Sequence, residues 1–212
     1  MGTRWPAAIL IVAAVSLLTA VAVAKTVRGT SHRDKLVGTN KADKLIGRKG
    51  RDKLIGRAGA DRLLGGKGRD KLIAGKGRDI LRGGRGKDTL KAGLGNDQLL
   101  GGLGNDLLNG GPGADDLLGG AGTNTLNGGD GEDLLIAGPG GGIEVGGPGH
   151  DQFNELDGAP MGGLGDDVIN ARDGSEDEIN CGPGNDVVTV DASEEGVINC
   201  EVVIEPNPGG RR

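Results

Sequence analysis

The residues best equipped for chemistry are aspartates on a fixed beat. Asp34, Asp43, Asp52, Asp61, Asp70, Asp79, Asp88, Asp97, Asp106 and Asp115 recur every nine positions, Asn124 interrupts once, and Asp133 resumes the series. Carboxylates carried by neighbouring layers of a stacked fold would lie about 4.8 Å apart. They would repel by roughly 1 kcal/mol per pair in water and about 3–4 at an effective dielectric near 20. A hard divalent cation between them removes that cost. Calcium suits such a ladder because it accepts six to eight oxygen ligands at flexible angles, whereas magnesium demands an octahedron and keeps its waters. Catalysis has less to work with. His32 and His150 are isolated, no Ser lies in a G-x-S-x-G turn, and the carboxylates form a regular series instead of one perturbed pair. The G-x-x-x-x-G-K-[S/T] phosphate loop is also absent. We expect no enzyme.

A ladder of this kind needs a scaffold that repeats with it. Two places after each ladder position stands Leu, at Leu36, Leu45, Leu54, Leu63, Leu72, Leu81, Leu90, Leu99, Leu108, Leu117, Leu126 and Leu135. Two places before it, from Gly50 to Gly131, stands Gly, and a further Gly usually precedes that one by two. The unit is G-G-x-G-x-D-x-L-x, nearly whole in Gly101-Gly102-Leu103-Gly104-Asn105-Asp106-Leu107-Leu108-Asn109. The chain holds 46 Gly in 212 residues, one Trp, one Phe and no Tyr, so a bulky aromatic core is excluded. Collagen is excluded too, since Gly does not recur at every third place. Helix is disfavoured by about 1 kcal/mol for each interior Gly. The pattern predicts an all-β parallel β-roll, a β-solenoid in which a Gly-rich turn and a three-residue strand with inward Leu alternate, two strands to a coil of 18 residues. One edge then carries Asp34, Asp52, Asp70, Asp88 and Asp106, followed by Asn124 and Gly142. The other carries Asp43, Asp61, Asp79, Asp97, Asp115, Asp133 and Asp151.

The nonapeptide resembles that of the repeats-in-toxin (RTX), or haemolysin-type calcium-binding, proteins, over roughly residues 29 to 190. The resemblance implies calcium ions held between turns one coil apart by Asp carboxylates and turn carbonyls. Carried over, the leading ligands are Asp97, Asp115, Asp133 and Asp151 on one edge and Asp88 and Asp106 on the other. Their turns supply Gly93, Gly95, Gly102, Gly104, Gly111, Gly113, Gly129 and Gly131. Further candidates are Asp43, Asp52, Asp61, Asp70, Asp79, Asp167 and Asp186. No stretch resembles the toxin, protease or lipase domains found in members of that family, so those activities do not carry over.

Charge divides the chain. Residues 25–92 hold 21 Lys and Arg against 7 Asp, a net of +14, while residues 93–212 hold 3 Arg against 23 Asp and Glu, a net of −20. In the basic half Arg48 and Arg57 replace the second Gly of their turns, which puts calcium there in question. Its cations are expected either to neutralise the ladder, giving a segment that folds without metal, or to bind anionic cell-wall or matrix polymers or the acidic half of a second copy. Recognition of nucleic-acid bases is not expected, because residues 25–92 hold no aromatic side chain to stack on them. Ile46, Ile55, Leu64 and Ile73 should face outward, where they could support lateral association.

The ends differ from the middle. Residues 1–24, with Arg4, an apolar run from Ala7 to Ala24 and the closing Ala22-Val23-Ala24, read as a secretory signal, or as a membrane anchor if uncleaved. Export would place the protein outside the cell. The repeat is basic over 25–92, acidic over 93–141 and degenerate over 142–205. Within the degenerate part, Asp157 to Met161 disturb the beat, which resumes at Asp167, Asp177 and Asp186 with Ile169, Ile179 and Val188 inward. Glu195 would mark a last turn with Val197 inward. Cys181 and Cys200 are 19 residues apart, close to one coil, and should form a disulfide between adjacent coils in an oxidising compartment. Residues 206–212 read as a frayed tail.

Overall fold

The computed structural model describes residues 24–140, 142–154, 159–171, 179–190 and 197–204. Among them are nineteen strands and no helix, arranged in an eleven-stranded and an eight-stranded parallel sheet that receive successive strands in alternation up to Val168–Ala171, after which the last two strands also join the larger sheet. Leu45, Leu63, Leu81, Leu99, Leu117, Leu135, Phe153, Ile169 and Val188 are in register along the larger sheet. Leu36, Leu54, Leu72, Leu90, Leu108 and Leu126 are in register along the smaller one. The offset between partners is 18 residues, so the expected parallel β-roll is the fold. These side chains are 0–8 % exposed and make one thin core between the sheets. Each buried Leu contributes about 1.5–3 kcal/mol.

Three-residue strands, as expected, occur at Thr26–Arg28, Lys35–Val37, Leu134–Ile136, Gln152–Asn154 and Val202–Ile204, but most of the others are longer. Between residues 44 and 121 every strand runs six residues, as in Lys44–Lys49 and Arg62–Lys67, because the paired glycines stay in register, as in Gly66 with Gly84 and Gly84 with Gly102. Only three residues per unit remain for the turn. Alternation along the strand then decides what faces inward. The Asp before the strand, the Leu two places on and the Gly or Ala two places further, such as Asp70, Leu72 and Ala74, are all buried. Ile46, Ile55, Leu64 and Ile73 lie on the outer faces, half-buried.

The glycines of one unit do different work. Gly66 and Gly68 have φ of +115° and +140°, values that a Cβ strongly disfavours. Gly65 has no such φ, but a Cβ there would meet Asp70 Oδ2 and the Gly83 carbonyl, each at 2.6 Å. Arg48 and Arg57 hold the second place in their turns with φ of +85° and +96°.

Past Asp151 the coil length drifts to 16, then 19, then 15 residues. Ile169, Ile179 and Val188 are nevertheless buried, and Val197 packs against the core. A disulfide joins Cys181 to Cys200 across neighbouring coils, with Cα atoms 5.2 Å apart. Residues 1–23, on which the expectation of a secretory signal falls, Asp157, Asp177, Glu195 and the expected tail from 206 lie outside the described residues. Among those described, no helix is long and apolar enough to cross a membrane.

Candidate metal centre

The ladder lies inside the roll, along its two edges. From Asp43 to Asp186 its carboxylates are at most 4 % exposed. In each, Oδ1 accepts the backbone N–H of the ladder residue one coil earlier: Asp43 to Asp61 at 2.7 Å, Asp70 to Asp88 at 2.7 Å, Asp97 to Asp115 at 2.7 Å and Asp133 to Asp151 at 2.9 Å. These charge-assisted bonds tie every coil to the next. The series opens with the Lys25 N–H on Asp43 Oδ1 at 2.6 Å. It closes with the Asp186 N–H on Glu201 Oε2 at 2.7 Å. Glu201 was not anticipated.

The second oxygen has no such partner. Oδ2 of Asp52, Asp61, Asp70, Asp79, Asp88, Asp97, Asp106, Asp115, Asp133, Asp151, Asp167 and Asp186 is buried and accepts no hydrogen bond. A buried polar atom left unsatisfied costs about 1–3 kcal/mol, more if charged. Where a Gly stands five places before the Asp, that oxygen also points toward a backbone carbonyl of the next coil. Asp70 Oδ2 and Gly83 O converge on Gly65, Asp88 Oδ2 and Gly101 O on Gly83, and Asp106 Oδ2 and Gly119 O on Gly101. The absent Cβ leaves room for that convergence. Ala74 and Ala92 stand at the equivalent place for Asp79 and Asp97, and their methyl groups narrow those two pockets.

Asn124 shows what the pocket wants. Its Oδ1 keeps the ladder bond, accepting the Asp106 N–H at 3.0 Å. Its Nδ2, in the place of the orphaned oxygen, donates to the carbonyls of Gly120, Gly122 and Ala137 at 3.0, 3.0 and 3.1 Å. Those carbonyls lie four before, two before and thirteen after Asn124. By position, the first two correspond to Gly93 and Gly95 for Asp97, Gly102 and Gly104 for Asp106, Gly111 and Gly113 for Asp115, and Gly129 and Gly131 for Asp133. An Asp in this setting aims one more acceptor at a cluster of acceptors. Only a positive or donating group satisfies it, and an all-oxygen set of one carboxylate and three carbonyls fits a hard cation such as calcium. Among the described residues no three His, Cys, Asp or Glu side chains gather at one point, so most donors in such a site are backbone.

At the first coil, protein donors take that role. Asp34 Oδ2 accepts from the Thr30 N–H at 2.6 Å and its hydroxyl at 3.0 Å. Asp43 Oδ2 accepts from the Thr39 N–H and, at 2.9 Å, its hydroxyl. Of the further candidates, Asp43 therefore already has what the others lack. Burial acts to raise its pKa, yet the N–H groups of Thr39 and Lys25 and the Thr39 hydroxyl hold it below the ordinary value.

The remaining ladder titrates upward. Burial, opposed by the Asp70 N–H and aided by the charges of Asp70 and Asp106, raises Asp88 to about 7. Asp115 and Asp151 reach about 7, and Asp61, Asp79 and Asp133 about 6, with burial the leading cause in each. Asp52, Asp70, Asp97, Asp106, Asp167 and Asp186 are raised for the same first reason.

The cations do not reach in. Every Lys and Arg of residues 25–92 is exposed, and among the described residues none forms an ion pair with a ladder carboxylate, although the charge of Lys25 helps to lower the Asp43 pKa. Beyond that first-coil interaction the expectation that the cations neutralise the ladder directly finds no contact to support it, because alternation along the strand puts Asp and Lys on opposite faces. The pockets of Asp52, Asp61 and Asp70 are built like those further on. One other inward acid escaped sequence reasoning: Glu144, fully buried, occupies the inward position in register with Leu126.

Fold and site together define a parallel β-roll of acidic nonapeptides with oxygen-lined pockets between its coils. The family described as the RTX calcium-binding nonapeptide repeat (4 copies) matches residues 28–63, 37–72, 55–90, 73–108 and 109–143. The chain belongs to that family, and the match takes in the basic half as well as the acidic one. No curated protein matches the chain.

Proposed function

We propose that this chain is an exported calcium-binding β-roll, in which calcium between the Asp and Gly turns of adjacent coils orders a rod that serves as an extracellular scaffold or adhesin-like element, with no catalytic role. The observation that carries the reading is the Asn124 amide, which satisfies three carbonyls at the very place where twelve other repeats bury an unpartnered carboxylate oxygen. The ligands would be Oδ2 of Asp52 to Asp186 on this pattern, led by Asp88, Asp106, Asp115, Asp133 and Asp151, with the turn carbonyls already named. Asp97 belongs to the set with a pocket narrowed by Ala92. Asp43 stands outside it. Bound calcium neutralises the ladder and links one coil to the next, so binding and folding are coupled. The basic half would fill at higher calcium because its exposed charge repels cations.

Equilibrium dialysis of the chain against radiolabelled calcium, with magnesium as competitor, tests this. Several ions per chain, not displaced by equimolar magnesium, are expected. Fewer than one ion per chain at millimolar calcium would overturn the proposal.

A further inference from the structure

Along one edge of the basic half the exposed cations are sorted into a double file. Three consecutive coils carry Lys49-Gly50-Arg51, Lys67-Gly68-Arg69 and Arg85-Gly86-Lys87 at the same turn. Lys49, Lys67 and Arg85 are in direct register, and the turns are joined by the Gly50 N–H on the Lys67 carbonyl at 2.9 Å and the Gly68 N–H on the Arg85 carbonyl at 2.8 Å. All six side chains are exposed, and among the described residues none pairs with an acid. Like charges placed opposite one another on neighbouring strands oppose folding. The residue between the two files is Gly in each coil, so no side chain rises between them.

The arrangement is local. On the opposite edge the corresponding places hold Ala58 and Ala60, Lys76 and Arg78, then Leu94 and Asn96, and on the same edge the next coil has Leu103 and Asn105. The described acids of the acid-rich half offer poor complementarity as a partner. Its ladder carboxylates face inward, and its exposed described acids, such as Asp116, Asp130, Glu132 and Asp166, are scattered.

We propose that this edge is a docking site for an extended polyanion, a linear polymer of sulfate esters or phosphodiesters that lies along the rod axis between the two files. One anionic group meets each coil, at the strand spacing of about 4.8 Å. The inference goes beyond calcium binding, because these side chains are exposed while the ladder carboxylates are buried, and it rests on that reading only for the ordered roll that carries the files.

Fluorescence anisotropy of the full chain in calcium buffer, with labelled dextran sulfate and labelled poly(glycerol phosphate) as probes, tests it. The triple variant Arg51→Gln, Arg69→Gln, Lys87→Gln is compared with Lys35→Gln, Lys53→Gln, Lys71→Gln, which removes equal charge from the face of the eight-stranded sheet. Circular dichroism confirms that both variants keep the calcium-ordered fold. The edge variant is expected to bind at least tenfold more weakly. Its dependence of log K on log salt should be shallower by about 2, since each lost contact releases about 0.7 counterion on a single-stranded polyanion. The face variant should change affinity by about threefold or less. A preference for one probe identifies the anionic group, and equal binding means that charge spacing alone is read. Equal losses in the two variants, salt-insensitive binding, or tighter binding to anionic lipid vesicles than to either polymer would overturn the proposal.

Discussion

Replacing Asn124 by Asp converts a pocket that satisfies itself into one that needs a cation. The substitution keeps the ladder bond from the Asp106 N–H but removes the two N–H donors of the amide, which are shared among three carbonyls at 3.0, 3.0 and 3.1 Å. At a net of about 1 kcal/mol per donor, with about 1–3 more for the buried oxygen left facing carbonyls, the metal-free fold loses about 3–5 kcal/mol. That is about two to four decades in the folding constant. Calcium at a thousand times its dissociation constant returns about 4 kcal/mol, so the loss is nearly offset once the new site fills. The assay reads both the bound calcium per chain and the calcium concentration at the folding midpoint. One additional ion and a higher midpoint are expected, with full β signal at saturation. An unchanged ion count, or a deficit that calcium does not repair, would refute the assignment of this pocket as a cation site.

The reverse change should free a site from metal: Asp115→Asn binds one ion fewer yet lowers the calcium needed for folding, whereas Asp115→Ala binds one fewer and raises it. Equal behaviour of the two would count against the carbonyl cluster, and Asp52→Ala, in the basic half, should raise the midpoint less than Asp115→Ala. Acidity should act like a weak ligand. Ladder carboxylates raised from 3.8 to about 6 or 7 bind protons more readily folded than unfolded, so in chelator the β signal is greatest below about pH 4 and declines as pH rises through about 6–7. A chelator-treated chain with constant order across that range would contradict the burial of the ladder. Reducing Cys181–Cys200, which closes a 19-residue separation, should cost about 3 kcal/mol; urea unfolding of the C-terminal coils followed by hydrogen exchange would register it, and unchanged protection there would argue against the clamp.

Much of the roll was legible because a stacked repeat writes its register into the chain. The columns from Leu36 to Leu135 give the 18-residue coil directly, and the near match of 19 residues gives the cysteine pair. Strand length was less legible, since Gly reads as a turn in isolation and only pairing across coils keeps Gly66, Gly84 and Gly102 in the sheet. The inward aim of the ladder follows from the parity that puts Asp70 and Leu72 on one face, a signal that the sequence does carry. The Thr30 and Thr39 donors were visible as Thr in place of the second Gly. The third carbonyl of each pocket was not, because it belongs to another coil. Glu201 was hidden by coils of 16, 19 and 15 residues that break the beat before it.

On the function proposed above, calcium satisfies the orphaned carboxylates and thereby orders the roll. Far-ultraviolet circular dichroism during a calcium titration from chelator, at a slightly alkaline pH above the raised carboxylate pKa values and with magnesium as control, tests it most directly. A cooperative gain of β signal with calcium and none with magnesium is expected. A full β signal in chelator that calcium leaves unchanged would contradict the account.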